Sequence, residues 1–282
     1  MSQAITQGQE ENIGNVILHH VSNSEGAVHP ALDFYFFGVH MPVSKHVVML
    51  WVAALVVFVV FYLVSRVYRK EEYPIPRGFV NAVESLVEYV RTQVVIPNIG
   101  VEHSKIWLPV ILTFFFFILT ANGLGLIPIF DFMPGGSTAT GNFNVTAGLA
   151  TVTFFCIIVA GSIAHGFLGH WKNFAPGGHP FLVYFILVPV EIIAMFVKPF
   201  ALTMRLAANM TGGHIAILSI LSFIFVFSDM FGPAVGIMVG SFVSVPLSAA
   251  ISMLEIIIVL IQAYVFTLLS AMFIGMAIHT HH

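Results

Sequence analysis

Apolar positions in this chain fall in long unbroken runs, not in the alternating or three-to-four spacing that marks a soluble fold. Val47 to Val64 reads VVMLWVAALVVFVVFYLV without a charge. At 1.5 Å per residue such a run crosses a hydrocarbon core of about 30 Å. Similar runs predict spans at 47–65, 106–129 and 145–169. Two further apolar stretches, 181–228 and 234–278, are each about twice the length of a perpendicular span, so they are either steeply tilted or broken. The segment Asp229 to Pro233 between them is the turn of a helical hairpin. Residues 79–96 follow a proline-broken linker and differ in kind. Val83, Leu86, Val87, Val90 and Val94 share one side, with Glu84, Glu88 and Arg91 elsewhere, which predicts an amphipathic helix lying in the membrane interface. The pattern as a whole predicts an all-α polytopic membrane protein, with an extramembrane segment over 1–45 and a membrane domain over 46–282.

Composition agrees with that pattern. Of 282 residues, 58% are hydrophobic and only 8% charged, too little polar surface to cover a soluble fold. The single cysteine, Cys156, cannot support a disulfide framework or a cysteine metal site. No phosphate loop or metal-binding helix motif occurs, so the chain is not expected to hydrolyse nucleotide itself, to hold a cofactor or to bind nucleic acid. Residues 1–45 lack the basic start and short apolar core of a cleaved signal peptide. Their four histidines (His19, His20, His29, His40) have no ligand-like spacing and read as a solvated segment. His165 and His179 are separated by Pro176, Gly177 and Gly178, which argues against a haem pair on one helix. Asn122, beside Gly123 and Gly125, reads as a packing or turn device. Seven basic residues (Arg66, Arg69, Lys70, Arg77, Arg91, Lys105, Lys172) lie in the loops after the first and third spans, against Lys45 alone on the other side. That bias sets those loops and the C-terminus in the cytoplasm and the N-terminus outside.

The candidate chemistry lies within the apolar hairpin. Glu191, Lys198 and Arg205 are seven residues apart, which brings a helix back to within roughly 20° of its starting direction. One face of one helix is therefore charged. An arginine at mid-membrane costs about 3 kcal/mol on insertion scales, so such residues usually face a protein interior or a wet cavity and mark an ion path. The last helix carries a second stripe, Ser241, Ser248, Glu255 and Gln262, bordered by Ser244 and Ser252. In an antiparallel hairpin, facing residues have numbers of nearly constant sum. Arg205 with Gln262 gives 467 and His214 with Glu255 gives 469, a register whose midpoint falls at the turn. A histidine and a buried glutamate can exchange a proton near neutral pH, whereas an arginine stays charged. A titratable pair with a fixed cation beyond it is the arrangement of a proton path that ends at a barrier.

In these residues the chain resembles subunit a of the F-type proton-translocating ATP synthase. The resemblance rests on KPFALTMRLAANMTGGH (Lys198 to His214) and LEIIIVLIQAYVFTLLS (Leu254 to Ser270), and more weakly on NGLGLIP (Asn122 to Pro128) and NVT (Asn144 to Thr146). It covers roughly residues 45 to 278. It implies a strongly tilted hairpin and a non-catalytic stator subunit in a bacterial inner membrane, partnered by a ring of c subunits, the b subunits of a peripheral stalk and the remaining synthase subunits. By that likeness Arg205 faces the ring and separates two aqueous half-channels, with Gln262 beside it and Asn209 one turn on. His214 and Glu255 match the outer half-channel and Glu191 the inner one. Lys198, Asn144 and Ser248 are further candidates. Two readings of other classes stand beside this one. A secondary transporter binding an anion at mid-membrane predicts repeated halves, and the sequence has no convincing internal repeat. A purely structural membrane subunit would use its polar stripes only to join helices.

Overall fold

In lipid every backbone N–H and C=O must find its partner within its own segment, so long apolar runs fold as helices even when they are rich in β-branched residues. The computed structural model describes residues 32–36, 39–43, 45–69, 75–126, 139–167, 169 and 181–279. Five of its helices are long and apolar enough to cross a membrane: α1 (Lys45–Tyr68), α4 (Val101–Gly125), α5 (Phe143–His165), α6 (Phe181–Phe231) and α7 (Pro233–Ile278). The chain is an all-α multi-pass membrane protein. A shorter segment, α2 (Phe79–Val90), a π turn (Arg91–Val95) and α3 (Ile96–Ile99), precedes α4. The one sheet among the described residues is an antiparallel hairpin of β1 (Leu32–Phe36) and β2 (Val39–Val43), in the segment whose sequence reads only as a solvated stretch. His19, His20, His29, His179, most of the loop 131–142 and most of the loop after α5 lie outside the described residues.

Neither long helix is broken. α6 runs for 51 residues and α7 for 46, despite Pro189 and Pro199 in the first and Pro246 in the second. The chain reverses on one residue, Gly232, whose φ of 85° is left-handed, where glycine alone is unstrained. Asp229, Met230 and Phe231 belong to α6 and Pro233 opens α7 as its first residue, a position proline favours. The turn is therefore shorter than the five-residue segment the sequence suggests.

The chain divides into two compact units. One takes its described residues from Met1–Trp51, Ala121–Asn142 and Ala207–Leu260. Here the hairpin is closed by backbone contact. A Cβ on Gly236 would collide with the Ser228 backbone, and one on Gly240 would stand 2.9 Å from the Ile224 Cα. This pair of glycines four apart lets two helices touch without side chains between them. Near the turn the facing numbers add to 464, against 469 at His214 and Glu255.

The other unit takes Val52–Thr120, Phe143–Leu206 and Ile261–His282. It holds the contiguous apolar core, built from Val90, Val94, Ile99, Ile111, Phe114, Ile118, Leu206, Phe266 and Ile274 among others. Aromatic edges lock it: Phe114 meets Phe266 at 5.8 Å between centroids, and Phe61 meets Phe116 at 4.9 Å. The amphipathic segment buries Val83, Val90 and Val94, with Val87 partly covered. Leu86 departs from the expected face and is 38% exposed. The π turn explains the other difference, since its wider winding rephases the helix and buries Val95 at its end and Ile99 beyond it.

Candidate functional site

In the unit that contains the hairpin turn, α6 and α7 bring together two residues 41 apart in sequence. The Nδ1 of His214 lies 3.0 Å from Oε1 of Glu255. Glu255 is almost fully buried, with its side chain 4% exposed, while that of His214 is 22% exposed. A carboxylate removed from water needs a charged or hydrogen-bonding partner, and the imidazole supplies it. One member is buried and the other partly exposed.

Gly213 makes this geometry possible. A Cβ there would sit 2.7 Å from Glu255 Oε1 and 3.2 Å from its Cδ. The sequence suggests that Gly212 and Gly213 permit bending, yet α6 is continuous through both, and Gly213 serves instead as space for the carboxylate. Two threonines that sequence reasoning missed support the same unit. Thr211 donates to the Gly141 carbonyl at 3.0 Å, and Thr140 donates to Asn122 Oδ1 at 2.5 Å. Asn122 is thus a buried hydrogen-bonding residue and not only a turn device. Thr140 lies in a polar loop whose composition carries no signal for it. Ser244 and Ser248 are buried on the stripe of α7, and Ser248 donates to the Val245 carbonyl of its own helix at 3.0 Å. Asn209 is exposed on α6.

In the other unit, α6 carries its three charges with different surroundings. Glu191 and Arg205 are exposed and make no hydrogen bond or ion pair with a described residue. Lys198 is half-buried, with its ammonium 5.7 Å from the centre of the Phe273 ring of α7, a cation–π contact. Thr203 donates its hydroxyl to the Pro199 carbonyl, one turn back in its own helix. Gln262 is buried on α7, one residue before the core alanine Ala263. Asn144, at the start of α5, is exposed. α6 also exposes Phe196, Val197 and Phe200, on other sides of the helix from Arg205.

Comparisons with known proteins add an independent finding. The family model described as ATP synthase A chain matches residues 47–275. A relative in Pelodictyon phaeoclathratiforme, named ATP synthase subunit a, is 43% identical over 276 positions, covering 95% of this chain and 77% of its own length. One in Prosthecochloris aestuarii, named ATP synthase subunit a 2, is 43% identical over 286 positions, covering 97% and 82%. A third, in Myxococcus xanthus, is 43% identical over 243 positions, covering 86% and 75%, and is named ATP synthase subunit a.

Proposed function

The chain belongs to the ATP synthase A chain family, and from that membership we propose that it is the proton-translocating stator subunit of an F-type ATP synthase. The observation that carries this reading is Arg205, exposed on a membrane-spanning helix and without an ion pair among the described residues. A guanidinium so placed costs about 3 kcal/mol against lipid, and a partner that presents a carboxylate to it removes that cost. The partner is a ring of c subunits, and the b subunits and the rest of the synthase complete the complex. Protons reach the ring from outside through the shared pair His214 and Glu255, and leave toward the cytoplasm near Glu191. Arg205, flanked by Gln262 and Asn209, holds the two half-channels apart. Each ring carboxylate has to give up its proton before it passes the fixed positive charge, so ion flow becomes rotation. Lysine would serve poorly there, because an ammonium loses its proton more readily on burial. Each proton gains about 2.3 kcal/mol per 100 mV, so several are needed per ATP. The chain itself carries no nucleotide chemistry. In a bacterial inner membrane, the basic loops lie in the cytoplasm with the C-terminus, and the N-terminus lies outside.

The test is ATP-driven proton pumping in inverted vesicles carrying Arg205→Ala, with assembly of the complex measured in the same membranes. The expected result is an assembled complex without coupled pumping. Pumping at the normal rate in an assembled complex would overturn the reading and return the charged face to helix packing.

A further inference from the structure

The last turn of α7 is docked at three points onto other elements of its own unit. Gly275 lies so close under the Asn98 carbonyl that any Cβ there would collide with it. One turn on, Nε2 of His279 is 3.0 Å from the Ile99 carbonyl, across 180 residues of sequence. At the end of α5, Nε2 of His165 is 2.9 Å from the Ile278 carbonyl. Ile99 and Ile278 each close a helix, so their carbonyls are among those left without a partner along the helix itself. A carbonyl can only accept, so each ring carries a hydrogen on Nε2. Both the neutral Nε2–H tautomer and the imidazolium meet that requirement.

We infer that His279 and His165 are positioning residues that set how far α7 slides along its axis, and so the depth at which Gln262 stands. Gln262 precedes Gly275 by 13 residues, about 20 Å of helix. Between them α7 is held at almost every turn. Phe266 meets Phe114, Ser270 lies 3.5 Å from Thr153, and Phe273 lies under Lys198. A register fixed at the end is therefore carried along the helix. The consequence for pumping rests on the proposed stator function. The docking itself does not.

The experiment uses the intact synthase complex with His279→Leu, His279→Gln, His165→Leu and His165→Gln. Backbone hydrogen exchange of the peptide covering residues 266–279 is read by mass spectrometry, and ATP-driven pumping is read in vesicles. Each leucine variant should speed exchange about fivefold, the worth of one net hydrogen bond, and lower pumping. Glutamine, whose Nε2 reaches the same carbonyl, should restore both. Exchange at the wild-type rate in the leucine variants overturns the inference. So does a glutamine variant as fast as leucine, since the ring would then act other than as a donor. If a leucine variant fails to assemble, recovery of assembly by glutamine supports the inference and its failure overturns it. Arg205→Ala is measured alongside. Normal pumping there would remove the stator reading and leave the docking to be decided by exchange alone.

Discussion

The two units of this chain are held together by different chemistry. The unit with the apolar core relies on interlocked rings and aliphatic chains, with Phe114 against Phe266, Phe61 against Phe116, and Ile111, Ile118 and Ile274 fully buried. The unit with the hairpin turn has few large buried side chains. It is joined by glycine contacts and by buried polar bonds, among them Thr140 to Asn122, Thr211 to Gly141 and His214 to Glu255. Two of its buried polar atoms, Asn122 Nδ2 and Ser244 Oγ, have no hydrogen-bond partner among the described residues. Lipid tails are as apolar as leucine, so helices gain little by burying apolar surface against each other in a membrane, and close packing decides stability. The first unit is packed for rigidity. The second gives up packing for polarity.

That contrast can be broken most strongly at Phe266. Its ring is 1% exposed, and Phe266→Ala should cost about 3–5 kcal/mol through the cavity left behind. The readout is the amount and melting temperature of assembled complex. The reverse pattern is expected at Glu255. Glu255→Leu should leave the complex assembled and lower pumping at least about tenfold, as loss of a proton-transfer group does. Unchanged pumping would deny the pair its role. A sharper comparison sets two adjacent glycines against each other. Gly213→Ala forces a methyl against the Glu255 carboxylate, an overpacking cost of about 1–3 kcal/mol, and should slow pumping several-fold. Gly212→Ala meets nothing within 4 Å and should pump normally, so equal effects at the two positions would count against the carboxylate cradle. The smallest effect is expected at Thr153. Its hydroxyl lies 3.5 Å from Ser270, and Thr153→Val should shift stability by only about 0.6 kcal/mol, measured as melting temperature in detergent.

Much of the architecture was legible in the sequence because lipid imposes length as well as pattern. A run such as Val47 to Val64 has few foldings open to it. The juxtaposition of His214 with Glu255 was legible too, since an antiparallel hairpin converts residue numbers into neighbours. Other features depend on backbone detail that composition does not record. The π turn at Arg91–Val95 moves Val95 and Ile99 to the buried side, which a constant 100° step cannot anticipate. Gly213 reads as a flexible point because sequence shows what a glycine allows the backbone, not which side chain fills the space beside it. Thr140 stands in a loop with no periodicity, and its partner Asn122 is set by tertiary contact alone. His279 meets Ile99 across nearly the whole domain.

The exposed guanidinium of Arg205 also bears on how the protein is made. A newly inserted copy that has not met its partner presents a permanent charge to hydrocarbon, and the same about 3 kcal/mol that marks the site makes the orphan subunit a poor resident of the bilayer. Membrane proteases act on helices that loosen, so a lone subunit should be cleared faster than an assembled one. Pulse-chase of the chain expressed without other subunits would measure this. Arg205→Leu should outlive the wild type there, and equal half-lives would show that the arginine is no burden before assembly. The residue on which coupling is proposed to depend would then also limit how long an unassembled copy survives.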